Sequence, residues 1–480
     1  MITKGRKRLH LFFVIEELIK NYRHFLFIIF IIISKFSTLK LLIIIVYIVC
    51  VLGITISKYL NIYYEIRDNT LIYNSGISVK GIKYIKLENI QNIDTTENIF
   101  YKIFGIISLD INGIEETITI GPITTEEANI IINLVNGENK KNSTDNIKFK
   151  LKTKDLLFLS LLKNKIFVTY AIIYSFLNNI VDFFYNIFGV KLNLGYECYL
   201  NLKNINISLF IIITLIIIII LYAISLIGTF ISFKGFELNK YDDNLVCSYG
   251  FINKRTIIIP KDKIEKVELK QSLLFRIFGL ASLNVTLTTE GIFENTDNVG
   301  SNVVIIPIAK KMFINDFISN ILQLSVSNNM YILEDCVKKL LKRRYFILNI
   351  FLATLVYIGI YFFNYKLFVI ETKNIYIIFT LLILFIGIYS VSHYNIFVNN
   401  TSYVLGKDLI KICKVKKFSK IEEYIRFDKI SKYSIHTNLF LERNNIEHIS
   451  ISTLGSFNQS KIRYVSIEKI KNISNNILTH

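Results

Sequence analysis

Apolar residues are distributed along this chain in two contrasting patterns. In the first, long runs almost free of charge come in pairs: His24 to Phe36 with Leu41 to Ile56, Ile166 to Val190 with Ile207 to Phe233, and Tyr345 to Phe363 with Ile375 to Val391. A helix needs about 20 apolar residues to cross a bilayer, so these runs predict six transmembrane helices in three hairpin pairs. In the second pattern, short alternating stretches are bounded by Gly, Asn and Asp, as in "NTLIYNSG", "GIKYIKL" and "ISLDING". These read as strands. "TTEEANIIINLV" then opens with first-turn carboxylates and continues at helical spacing.

The two patterns divide the chain. Residues 1–58 form a basic flank and the first helix pair, 59–163 a first domain, 164–233 the second pair, 234–344 a second domain, 345–397 the third pair, and 398–480 a third domain. The N-terminal flank carries Lys4, Arg6, Lys7 and Arg8, with Lys20 and Arg23 next to the first predicted span, and the run Lys338, Lys339, Lys342, Arg343 and Arg344 stands directly before the fifth. Basic residues stay on the cytoplasmic side, so the termini and the domains are expected in the cytoplasm.

The domains repeat one another. Gly76 and Gly105 are 29 residues apart, as are Gly250 and Gly279, at a constant offset of 174. At that offset Ile103, Phe104 and Gly105 fall on Ile277, Phe278 and Gly279, within "YKIFGIISL" and "FRIFGLASL". Ile99, Phe100, Ile103 and Phe104 form one apolar stripe on a short helical turn, and a glycine stands where positive φ would end that turn. The third domain aligns at an offset of 166, with Asn445 in place of the glycine and Arg443 and Asn444 in place of the second apolar pair. Asn is the ordinary residue best suited to a left-handed backbone.

Paired apolar helices, an "L-x-x-x-x-G" hairpin at Leu71 to Gly76, an "I-x-x-I" strand at Ile90 to Ile93 and the "IFG" turn resemble the bacterial pleckstrin-homology-like (PH-like) membrane proteins of the YdbS/YdbT type, in the long three-copy form. The resemblance implies an α+β membrane protein in which each helix pair is followed by a PH-like antiparallel barrel with a C-terminal helix. It also implies lipid headgroups or proteins as ligands, and a role in envelope maintenance or stress defence. The third copy departs most from the pattern.

Composition fits this frame. Hydrophobic residues make up 52% and charged residues 19%, with a net charge of +19. In a membrane protein that excess suits anionic headgroups; nucleic acid is not expected, since the Lys residues are dispersed and no binding module stands out. Cys50, Cys198, Cys247, Cys336 and Cys413 are far apart, without disulfide or metal-site spacing. No phosphate loop, nucleophile elbow or metalloprotease motif occurs, so no enzyme activity and no cofactor are expected.

The candidate contacts are therefore basic and apolar. Lys80, Lys254 and Lys420 share one hairpin position, and Lys414, Lys416 and Lys417 add to it in the third domain. They read either as phosphate-binding point charges or as solvated hairpin tips. The run Lys338 to Arg344 serves as a topological anchor, with headgroup binding as an added role. The "NIFYKIF" stripe reads as barrel-closing core; its alternative, a surface for self-association or a protein partner, requires Phe100 and Phe104 to stay exposed. Asp182 is the one ionisable residue well inside a predicted span. It is either a coupling carboxylate of a transporter or channel, or a helix-end residue beside Asn178 and Asn179.

Overall fold

The structure, a computed structural model, describes residues 5–20, 40–76, 81–114, 116–136, 148–162, 207–241, 243–287, 302–324, 331–366, 372–454 and 459–478. These form two compact units, Met1–Asp262 and Lys263–His480.

The first unit opens with helices α1 (Phe12–Lys20) and α2 (Lys40–Asn61). An antiparallel three-stranded sheet follows, in the order β1 (Tyr63–Arg67), β2 (Thr70–Ser75) and β3 (Gly81–Lys86). Next come β4 (Asn92–Glu97), α3 (Ile99–Phe104), β5 (Ile106–Asn112), β6 (Thr117–Thr124) and α4 (Thr125–Asn136). Strand alternation turns Leu71, Ile93, Leu109, Ile111 and Ile120 into one core, and α4 covers it with Ala128 and Ile131. The unit continues through β7 (Lys148–Lys150), α5 (Thr153–Leu162), α6 (Ile207–Phe233), β8 (Glu237–Tyr241), β9 (Asn244–Tyr249) and β10 (Lys254–Pro260).

The second unit repeats this grammar. It holds β11 (Ile264–Gln271), α7 (Leu273–Ile277), β12 (Leu280–Leu287), β13 (Asn302–Lys310) and α8 (Lys311–Asn320), then β14 (Tyr331–Ile332), α9 (Asp335–Lys366) and α10 (Thr372–Asn400). Its last part runs β15 (Ser402–Leu405), β16 (Leu409–Lys416), β17 (Ser419–Arg426), β18 (Ile430–His436), α11 (Leu439–Glu442), β19 (Ile446–Thr453), β20 (Ser460–Ser466) and α12 (Ile467–Leu478). Tyr403, Ile410, Ile412, Ile425, Ile449 and Ile473 build the core of this last part.

The sheets do not stop where one domain of the sequence ends. In the first unit the strand order is β6-β5-β4-β10-β9-β8-β7, and in the second it is β13-β12-β11-β17-β16-β15-β14. β4 thus takes β10 as an antiparallel neighbour, and β11 takes β17. The first joint places Ile93 opposite Ile258 and Asp94 opposite Ile257. Asp94 is fully buried, and its Oδ2 meets Arg255 Nη2 at 2.5 Å. The second joint sets Glu268 opposite Glu423, a like-charge pair that would repel if left alone. Lys266 lies 2.8 Å from Glu268 and 3.6 Å from Glu423, Lys414 lies 2.6 Å from Glu423, and Lys411 and Lys311 hold Glu422 at 2.7 and 2.8 Å.

The segments before the long helices also pack differently from the sequence division. Residues 148–162 were assigned to the first domain, yet β7 pairs with β8; residues 331–332 were assigned to the second, yet β14 pairs with β15. Lys7 makes the same move, exchanging two 2.9 Å backbone hydrogen bonds with Tyr64. The chain therefore contributes a strand-like lead-in just before each set of long helices and meets it again on leaving them.

The expectation of six transmembrane helices in three pairs is overturned. Among the described residues one helix is long and apolar enough to cross a membrane, over Ile44–Asn61, and the bulk of the fold is sheet-rich. In α6 the described apolar part is the shorter Ile218–Phe233. α9 carries the charged run Lys338 to Arg344 within the same helix, and the apolar run of α10 continues into Ser390, Ser392, His393 and Asn395. Tyr345 and His393 use that polarity to join these two helices, hydroxyl to Nδ1 at 2.7 Å. Apolar runs in sequence thus overstate how much of each helix can face lipid. The expected spans at 24–36 and 166–190 lie outside the described residues.

Two predictions test the joints. Asp94→Ala leaves a buried guanidinium without its carboxylate and is expected to cost about 3–5 kcal/mol, read from urea unfolding. The joints should also respond oppositely to acid. Burial pushes the Asp94 carboxyl from 3.8 up to about 6, against the pull of Arg255. Its contribution is fully present below pH 3.8 and is lost as pH rises through 6. Burial acts to raise Glu422 too, but Lys411 and then Lys311 override it and hold that carboxyl at about 2 rather than 4.5. This contribution is present above pH 4.5 and is lost as pH falls towards 2. Amide exchange between pH 6 and 4 should show β4 and β10 becoming better protected, whereas acidification below pH 4.5 should release β11 and β17.

Candidate functional site

The apolar turn is built by two caps. Asn98 stands in an extended conformation before α3, and its side-chain oxygen accepts a 2.7 Å hydrogen bond from the Tyr101 amide. Gly105 ends the turn in the left-handed region, at φ 63. The same pair of devices brackets α7, where Ser272 accepts from the Phe275 amide at 3.3 Å and Gly279 has φ 64. It brackets α11 as well: Asn438 accepts from the Leu441 amide at 3.0 Å, and Asn445 takes φ 53. Each capped turn thus fixes which of its side chains point inwards.

Those inward side chains are not the expected ones. Tyr101, Phe275 and Leu441 are the buried residues of the three turns. Ile99, Phe100, Ile103 and Phe104 are exposed, with Ile103 at 72%, and so are Leu273, Leu274, Ile277 and Phe278. The stripe is therefore not barrel-closing core. In α11 Leu439 is exposed while Leu441 joins Val337, Leu341 and Ile446 in a small core. Sequence reading missed the anchors because it followed the stripe. The signal that could have found them is the capping residue three positions earlier, Asn98, Ser272 or Asn438.

In the first unit the turn is fastened to the helices leading to the apolar window. Phe12 of α1 packs edge-on against Tyr101 with ring centres 5.8 Å apart, and against Phe104 at 5.1 Å. The Tyr101 hydroxyl donates to the Glu16 carboxylate; burial first, then that carboxylate, pushes the phenol pKa up. Glu17 in turn meets Lys58 of α2 at 2.6 Å, and the His10 amide donates to the Pro122 carbonyl at 2.8 Å. Leu11, just before α1, and Ile15 and Ile19 on it remain exposed. Capped turn, α1 and the end of α2 are thus linked by ring packing and two polar ties.

The basic candidates do not gather into one site. Lys254 opens β10 opposite Glu97 of β4. Lys414 and Lys420 are committed to Glu423 and Glu422, at 2.6 and 3.4 Å. Lys416 and Lys417 remain at the β16–β17 hairpin, where Lys417 takes φ 56. Lys338 pairs with Asp335 at 2.8 Å, Arg344 reaches the Tyr464 hydroxyl at 3.5 Å, and Lys339, Lys342 and Arg343 are exposed on α9. Lys80 and Asp182 lie outside the described residues.

Comparison with known proteins finds likenesses along part of the chain. Residues 25–139 and 198–320 match the family model described as Bacterial PH domain. The chain is also similar to the transmembrane protein YdbT of Bacillus subtilis (strain 168), 20% identical over 280 residues. That match covers 54% of this chain and 55% of YdbT, so the chain spans about half the length of the relative it matches.

The caps give a direct test. Asn98→Ala should cost about 1 kcal/mol and speed amide exchange at Tyr101. Asn98→Ser should restore most of the loss.

Proposed function

We propose that this chain, a bacterial PH-domain protein, acts by contact rather than by catalysis, holding PH-like domains at the cytoplasmic face of a membrane and offering their apolar turns to the lipid surface. The observation that carries this reading is the closeness of the exposed α3 stripe to the apolar window Ile44–Asn61. β1 starts at Tyr63, two residues after α2 ends. Glu17 is tied to Lys58 near the end of that window, and Phe12, which touches Phe104, lies five residues before Glu17. Five helical residues rise about 7.5 Å. The headgroup layer on each side of a bilayer is about 5–7 Å deep, so Phe100, Ile103 and Phe104 are within reach of it.

Chemistry supports the same ligand. Large apolar side chains taken out of water contribute about 1.5–3 kcal/mol each when fully buried. The exposed cations Lys102 on α3 and Arg6 and Arg8 of the N-terminal flank suit anionic headgroups. The basic run on α9 supports the cytoplasmic orientation by the positive-inside rule. The similarity to a protein named as transmembrane supports membrane attachment, and the family supports binding of lipids or proteins over catalysis. The third domain, with its shortened stripe, is read as a PH-like member that binds through other groups.

The chain has no tryptophan, which makes a single introduced one a clean reporter. Phe104→Trp in proteoliposomes should emit at shorter wavelength than Tyr241→Trp, an exposed control on β8, and should be quenched by brominated phosphatidylglycerol. Equal emission and equal quenching at the two positions would sink the reading.

A further inference from the structure

Among the described residues, the strands that join successive halves pair in series, and β3 and β18 stand unpaired at its two ends. The third strand of each N-terminal half is β3, β10 or β17, and the first strand of each C-terminal half is β4, β11 or β18. β10 pairs with β4, and β17 pairs with β11. Among the described residues β3 has β2 as its only strand neighbour, and β18 has only β19. Among the described residues β3 and β18 are thus unpaired copies of the two halves of a joint that forms twice.

Side chains on these edges match the paired ones. Ile258 and Tyr424, at the repeat position of Tyr84, are 7% and 6% exposed inside the joints, whereas Tyr84 is 59% exposed on β3. Leu269, at the repeat position of Ile435, is fully buried in the second joint, whereas Ile435 is 45% exposed on β18. β18 also carries the same bulge as β11, between Ile430 and Lys432 as between Ile264 and Lys266, and β11 pairs with β17 regardless. The acid at this position of each joint, the buried Asp94 or the half-buried Glu268, is replaced on β18 by Ser434, so an outer joint there requires no buried cation.

We propose that β18 of one chain pairs antiparallel with β3 of a second copy, joining chains head to tail. The register follows from the two joints already formed. Asp94 faces Ile257 and Glu268 faces Glu423, which puts Ser434 opposite Lys83, Ile435 opposite Ile82, and Tyr433 opposite Tyr84. Two apolar cross-strand pairs then cover Ile82, Tyr84 and Ile435, which are exposed at the free edges, together with the half-buried Tyr433. Such an interface is heterologous, so it grows into a ring or an open row rather than closing as a two-fold dimer. The pairing draws only on the strand edges and stands whether or not α3 meets lipid.

Cysteine pairing tests it in the full-length protein with Cys50, Cys198 and Cys336 replaced by Ser. Two differently tagged chains are purified and co-reconstituted, one carrying Ile82→Cys and the other Ile435→Cys. Opposed residues in an antiparallel pair have Cβ atoms about 4.5–5.5 Å apart, near disulfide reach. Mild oxidation should yield the mixed-tag dimer at least tenfold above a control in which Lys461→Cys replaces Ile435→Cys, and a chain carrying both cysteines should give a ladder. A mixed dimer no stronger than the control would overturn the proposal. So would cross-linking of Ile82→Cys in native membranes to a different protein in place of a second copy.

Discussion

A strand with an unpaired edge exposes a row of backbone donors and acceptors that must be matched or guarded. In this protein the match is internal. β4 is completed by β10, and β11 by β17, so strands that the sequence assigns to successive domains share one sheet. Each joint is pinned by buried charge, Asp94 with Arg255 in one and the Glu268, Glu422 and Glu423 carboxylates with their lysines in the other. Buried ion pairs add little net stability, but removing one partner is costly. A one-residue slip would turn Asp94 to the opposite face. The charges therefore act chiefly on register.

That arrangement decides where everything else sits. With β4 fixed, Asn98 and the capped turn follow directly at its end, and Gly105 returns the chain into β5. The turn must then present one side chain inwards and five outwards. Tyr101 takes the inward place, where Phe12 and Glu16 of α1 receive it. Lead-in segments do the complementary task, since Lys7, β7 and β14 each pair with the first strand after the long helices.

Much of this architecture was legible in residues. Gly105, Gly279 and Asn445 all take the left-handed conformation expected of them. What escaped was non-local. Nothing in "NIDTTE" names "KRTIIIP" as its neighbour, because pairing between strands more than 150 residues apart depends on tertiary geometry. The stripe was misjudged for a related reason: periodicity finds a face but not which side is covered. The same blindness to partners made Lys414 and Lys420 look available, although Glu422 and Glu423 claim them. Long apolar runs overstated the number of spans, since helices α9 and α10 use polar positions such as Tyr345 and His393 against one another.

Hydrogen exchange in the Arg255→Ala variant tests the shared sheet most directly. If β4 and β10 form one cooperative element, the amides of residues 92–97 and 254–260 should lose protection together while those of β1 and β2 keep theirs. Faster exchange confined to β10, with β4 unchanged, would contradict it.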